Sequence, residues 1–170
     1  VKHIWEDSRF GENFFDFQGV YVQMVANCRP TGHLVELGCW KGRSTAFLCV
    51  EAYAKSPAIR VYAVDPWKET PLEVFLENVR PVSACLTVMQ MTSLEAASQF
   101  EDGSLDGVFI DGDHASGAVT ADIQAWRPKV KAGGILAGHD YSSAWPGVIS
   151  AVDALCPDRK IVGQSWVVAC

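Results

Sequence analysis

No stretch of this chain approaches the ~20 consecutive apolar residues that a membrane-spanning helix needs, although 49% of its 170 residues are hydrophobic. A bilayer is therefore not an expected partner. Nor is there an excess of positive charge: 14 Lys and Arg face 20 Asp and Glu, a net charge of −6. Such a balance disfavours a broad phosphate-binding surface and so excludes nucleic acid as the expected partner, leaving a small molecule. None of the six cysteines, Cys28, Cys39, Cys49, Cys85, Cys156 and Cys170, stands in a C-x-x-C pair, and most lie in apolar segments. Buried free thiols explain them better than a disulfide framework. No repeat, low-complexity tract or linker interrupts the chain, and Lys2, Glu6, Asp7 and Arg9 occupy the place of a signal-peptide core. The expectation is one cytoplasmic domain, with a helical segment over residues 1–31 and a core over 32–170.

What is present is an alternation of elements. Strands are expected at 33–37, 60–64, 86–90, 105–110 and 134–138. Helical spacing joins Phe47, Val50 and Ala54, and later Val119, Ile123, Trp126 and Val130. Such alternation implies an α/β protein with a parallel sheet. Phe14, Phe17, Tyr21 and Met24 predict a further helix over 14–25. Thr70-Pro71-Leu72-Glu73 and Thr92-Ser93-Leu94-Glu95 read as helix starts, and Trp145-Pro146 opens a helix that Pro157 ends. The tail, residues 160–168, reads as two antiparallel strands around Gly163-Gln164, for seven strands in all.

The most informative stretch is L-V-E-L-G-C-W-K-G-R-S-T, Leu34 to Thr45. A strand, a glycine turn and a helix N-terminus make a cradle for a nucleotide-like ligand. Gly38 allows the turn, and Gly42 permits close backbone approach because it has no Cβ. Glu36 puts an acid where a pyrophosphate site offers N–H groups and cations, so a ligand with cationic and hydroxyl groups fits better. In open α/β sheets, ligands bind beyond the carboxyl ends of the strands. The polar residues fall there: Asp65, Ser93, the group Asp111, Asp113 and His114, and the pair His139 and Asp140. Asp65, about twenty residues past the glycine turn, is placed to accept from ribose hydroxyls. Carboxylates and imidazoles from two neighbouring strand ends suit a divalent ion, Mg²⁺ or, with His139, Mn²⁺, Fe²⁺ or Zn²⁺; a metal-free hydrogen-bond network is the competing reading. Asp113 or His114 is the candidate proton acceptor.

Taken together, E-L-G-C-W-K-G-R-S, V-Y-A-V-D-P-W, F-I-D-G-D-H and G-G-I-L-A-G-H-D-Y resemble the class I S-adenosylmethionine-dependent methyltransferases, in particular the small bacterial branch related to catechol and macrocin O-methyltransferases. The resemblance implies a Rossmann-like, doubly wound, seven-stranded sheet ordered 3-2-1-4-5-7-6 with the seventh strand antiparallel. It further implies S-adenosylmethionine as cofactor and a small-molecule hydroxyl as acceptor. Glu36, Gly38 and Ser44 match positions holding the methionine part, Asp65 the ribose ligand, and Ser93 falls near the adenine. The cofactor-binding set is thus Glu36, Gly38, Trp40, Gly42, Ser44, Asp65, Ser93 and Asp111. Asp111, His139 and Asp140 occupy the metal positions, with His139 in place of the usual oxygen ligand. Asp113 matches the macrocin-type base, and His114 stands where catechol-type relatives carry lysine. With so short a segment before the first strand, the lid over the site is small or borrowed from a partner subunit in a homo-oligomer; residues 66–80 and Tyr141 to Pro146 are candidates to line the acceptor pocket.

Two other activities compete. Asp111-Gly112-Asp113 can be read as the D-x-D of a metal-dependent glycosyltransferase, and the fold can persist as an inactive cofactor-binding module. A nicotinamide oxidoreductase is disfavoured because Trp40 fills the second glycine position of the G-x-G-x-x-G fingerprint.

Overall fold

The computed structural model describes residues 3–170. Five strands alternate with helices: β1 (His33–Leu37), β2 (Arg60–Asp65), β3 (Leu86–Gln90), β4 (Leu105–Ile110) and β5 (Val130–Gly138). They are followed by β6 (Lys160–Val162) and β7 (Ser165–Ala169). The sheet order is β3-β2-β1-β4-β5-β7-β6; β1 to β5 pair in parallel, and β7 runs antiparallel to both β5 and β6. This is the expected Rossmann-like order, with the two-residue turn at Gly163-Gln164 where the tail predicts it.

Helices α1 (Gln18–Asn27), α2 (Arg43–Lys55), α3 (Leu72–Val79), α4 (Ser93–Ala97), α5 (Ser116–Trp126) and α6 (Pro146–Leu155) fill the connections. The side-chain alternation of β1 divides the core: Leu34 packs with α1 and α2 on one face, while Val35 and Leu37 pack with α4, α5 and α6 on the other. Strand order reverses between β1 and β4, which opens a crevice at their carboxyl ends. All six cysteines are free thiols, five of them buried. Among the described residues no helix is long and apolar enough to cross a membrane.

Three local expectations change. The helix predicted over 14–25 begins only at Gln18. Phe15 and Phe17 are buried while Phe14 and Asp16 are exposed, a period of two that a helix does not give, and Phe17 packs on Phe109 of β4. Thr70 does not cap α3: Pro71 remains extended at ψ 137 and is itself the cap residue, and Thr70 is buried. Val130 belongs to β5, not to α5. Pro128 breaks the helix into a 3-10 turn, and an irregularity between Leu105 and Gly107 separates Val130 from the 135–138 ladder. By contrast, the Thr92–Glu95 capping box forms as read.

Candidate active site

The glycine turn brings the ends of β1 and β4 together. Gly38 has φ +80, and a Cβ there would lie 1.9 Å from the Asp111 carbonyl oxygen, so only glycine permits this approach. Asp111 N–H donates to the Leu37 carbonyl at 2.9 Å, and Gly38 N–H to the Val64 carbonyl at 3.0 Å. Gly42 also has positive φ, but the space beside it is filled by Val79 and Phe75 of α3. The close approach expected of Gly42 is therefore to a helix.

Strain gathers at the same edge. The non-glycine residues with positive φ in the described chain are Trp40, Trp67 and Asp140, which follow β1, β2 and β5. Each such conformation costs about 1–3 kcal/mol and persists only where surrounding contacts enforce it. For Trp40 and Trp67 those contacts centre on Asp65. One carboxylate oxygen accepts from the N–H of Cys39 and Trp40 at 2.9 and 3.0 Å, and the other from Trp67 N–H at 2.6 Å. The Trp67 indole N–H then holds the Trp40 carbonyl at 2.9 Å. Trp67 packs on Phe75 in the core. Three of about four acceptor positions on the Asp65 carboxylate are thus used within the turn.

Glu36 is 1% exposed. Its carboxylate accepts from Tyr21 Oη at 2.8 Å, Ser44 Oγ at 2.5 Å and Thr45 Oγ1 at 2.5 Å. Burial raises its pKa, with the hydroxyls pulling the other way. Glu36 and Ser44 thus engage each other, tying α1 and α2 to the end of β1. Beside them lies a cleft bounded by Phe14, Phe15 and Phe17 and by Gly38, Trp40, Arg43 and Asp111. Arg43 donates to the carbonyls of Trp5 and Gly11, which secures the N-terminal segment, and its Nε is buried with no hydrogen-bond partner.

The ligating atoms of Asp111, His139 and Asp140 converge to within 4.8 Å of one another. His139 Nδ1 faces Asp140 Oδ1 at 3.5 Å and Asp111 Oδ1 at 3.8 Å, while its Nε2 meets Asp16 Oδ1 at 2.8 Å. Burial pushes the Asp111 carboxyl up to about 7, helped by the charges of Asp140, Glu36 and Asp16 and opposed by His139. Burial alone would lower His139, but a hydrogen bond to Asp140 and the three surrounding carboxylates hold it up at about 9. Asp140 is itself held below the usual carboxylate range, because His139 and His114 outweigh its burial. His114 Nε2 contacts Asp140 Oδ2 at 2.6 Å, and the His114 ring stacks on Trp145 at 4.0 Å.

Two expected site residues point elsewhere. Asp113 is exposed and accepts from Ala115 N–H at 2.8 Å, at the entry to α5. Ser93 Oγ donates to Asp122 at 2.5 Å and accepts from the Trp126 indole at 2.8 Å, joining α4 to α5. Sequence reading missed Asp16 and Arg43.

Residues 35–141 match the methyltransferase-domain family. The uncharacterized protein y4gI of Sinorhizobium fredii is 28% identical over 145 residues, 75% of this chain; the chain spans only 16% of that relative's length. Among solved structures, an O-methyltransferase from Bacillus cereus in complex with SAH superposes with a TM-score of 0.70 at 13% identity, covering 96% of this chain and 91% of that one. A SAM-dependent O-methyltransferase from Thermotoga maritima gives 0.70 at 11%, covering 98% and 70%. Sheet order, glycine turn and family match agree: the chain belongs to the methyltransferase-domain family and has the fold of the class I S-adenosylmethionine-dependent methyltransferases.

Proposed function

We propose that this chain transfers the methyl group of S-adenosylmethionine to a hydroxyl of a small molecule, with a divalent cation held by Asp111, His139 and Asp140. The observation that carries this reading is the Asp111–His139–Asp140 cluster beside the glycine turn, with Asp140 shared between the cluster and His114.

The residues suit both groups. Arg43 lines the cleft and supplies a cation for the cofactor carboxylate, and Asp65 keeps acceptor capacity for a ribose hydroxyl. Glu36, sealed by three hydroxyls, braces this cradle without touching the ligand. On the metal side, Asp111 accepts no hydrogen bond among the described residues. Three carboxylates crowd one imidazole, a charge deficit that a cation would relieve. When bound, the cofactor supplies a sulfonium methyl and the cation lowers the pKa of an acceptor hydroxyl.

The chain's own residues orient the acceptor and move its proton. Ionised Asp140 can only accept, so His114 Nε2 carries the proton in their contact and Nδ1 remains the basic nitrogen. His114 would take the proton of the acceptor hydroxyl as that oxygen receives the methyl group the cofactor would supply. Trp145 fixes the imidazole plane by stacking. Phe14, Phe15 and Phe17 restrict water at the cleft, a lid made by the N-terminal segment. A D-x-D glycosyltransferase is disfavoured because Asp113 turns onto the start of α5.

Titration calorimetry of chelator-treated protein with S-adenosylmethionine and S-adenosylhomocysteine, with and without Mn²⁺ or Mg²⁺, tests the reading. Micromolar cofactor binding and a separate metal heat are expected. Absence of cofactor binding under every condition overturns it.

A further inference from the structure

We infer that Asp16, in the segment preceding the catalytic core, is a positioning residue that orients His139 as a metal ligand; the inference rests on the metal reading above. His139 has two ring nitrogens with different surroundings. Nδ1 faces Asp111 and Asp140, and Nε2 contacts Asp16 at 2.8 Å. A carboxylate on Nε2 keeps the proton of that nitrogen, so a cation between the two aspartates would displace the proton of Nδ1 and take its lone pair.

The placement is built from both sides. Phe15 and Phe17 flank Asp16 and are buried at 6% and 5% exposure, which anchors the backbone. The Phe17 ring packs 4.7 Å from the His139 ring and 4.6 Å from Phe109 of β4, so it also limits imidazole rotation. His139 is 8% exposed, whereas the Asp16 side chain is 56% exposed. An exposed carboxylate is not needed to complete the fold, and its one described partner is His139. Nothing else within the described residues bonds Nε2.

The test measures Mn²⁺ affinity by calorimetry on the chelator-treated 170-residue chain, for the wild type and for Asp16→Ala, Asp16→Asn and Asp111→Asn. Asp16→Ala should weaken Mn²⁺ binding by about 10–100-fold, the range typical of an outer partner of a ligating histidine, with S-adenosylhomocysteine affinity unchanged. Asp16→Asn, which retains an acceptor oxygen without the charge, should recover part of the loss. Unchanged Mn²⁺ affinity in Asp16→Ala, with binding lost in Asp111→Asn, overturns the role of Asp16 and leaves the metal reading standing. Parallel loss of S-adenosylhomocysteine binding in Asp16→Ala also overturns it, since the segment rather than the imidazole would then be at fault. If the wild type takes up no Mn²⁺, or Asp111→Asn takes it up unaltered, the metal reading fails and the Asp16 role with it.

Discussion

β4 carries a buried aspartate near its start, and a half-buried one lies just beyond its end; the two are treated in opposite ways. Asp106 accepts from the backbone and guanidinium of Arg29 and from His33 N–H, and pairs with Lys131 at 2.9 Å. Burial alone would raise its pKa, but these donors hold it far below the usual carboxylate range. Asp111 has no such donors. Its neighbours are His139 at 3.8 Å and other carboxylates, and burial holds it up near 7. One end of the strand spends its charge on the fold; the other keeps it uncompensated, as functional sites do.

The largest expected effect comes from breaking the satisfied end. Asp106→Ala strands two cations and two N–H groups, and should cost roughly 3–5 kcal/mol in urea unfolding. Because the folded pKa is depressed, its stabilisation is present above the unfolded value of about 3.9 and disappears as pH falls further. The variant should therefore lose much of the wild type's acid sensitivity below about pH 4. Asp111→Asn should do the reverse: no loss of thermal midpoint, but a fall in turnover of at least about 100-fold, beyond what an outer partner contributes. A clear drop in midpoint would erase the contrast. His114→Gln should lower kcat by about 100-fold in steady-state assays without altering S-adenosylhomocysteine affinity. The smallest effect is on Asp65→Ala, for which equilibrium dialysis should find about tenfold weaker cofactor binding. Unchanged binding would confine Asp65 to holding the turn.

The contrast also explains what could be read in advance. The strands and the glycine turn were legible because short apolar runs alternate with helical spacing and those of β1, β2, β4 and β5 lead into Gly38, Asp65, Asp111 and His139, while the strand order came from the family resemblance. The convergence of Asp111, His139 and Asp140 was legible too, since Asp111 follows β4 directly and His139 and Asp140 are the two residues after β5. The hydroxyl shell of Glu36 was not legible, because Tyr21 arrives from a separate helix and Ser44 and Thr45 turn inward only once α2 packs. Asp16 lies 123 residues from its histidine, with no local pattern linking them. The helix over 14–25 failed at its start because burial alternates there, a tertiary demand that overrode helical spacing.

The distribution of indoles has a practical consequence. Of the chain's six tryptophans, Trp126 and Trp166 are sealed in the core, while Trp40 and Trp145 are 36% and 42% exposed. Trp40 borders the cleft, and Trp145 lies on His114. The two most water-facing indoles thus lie one at the cleft and one on His114, so the chain carries an optical probe for each place, separable by changing one tryptophan at a time.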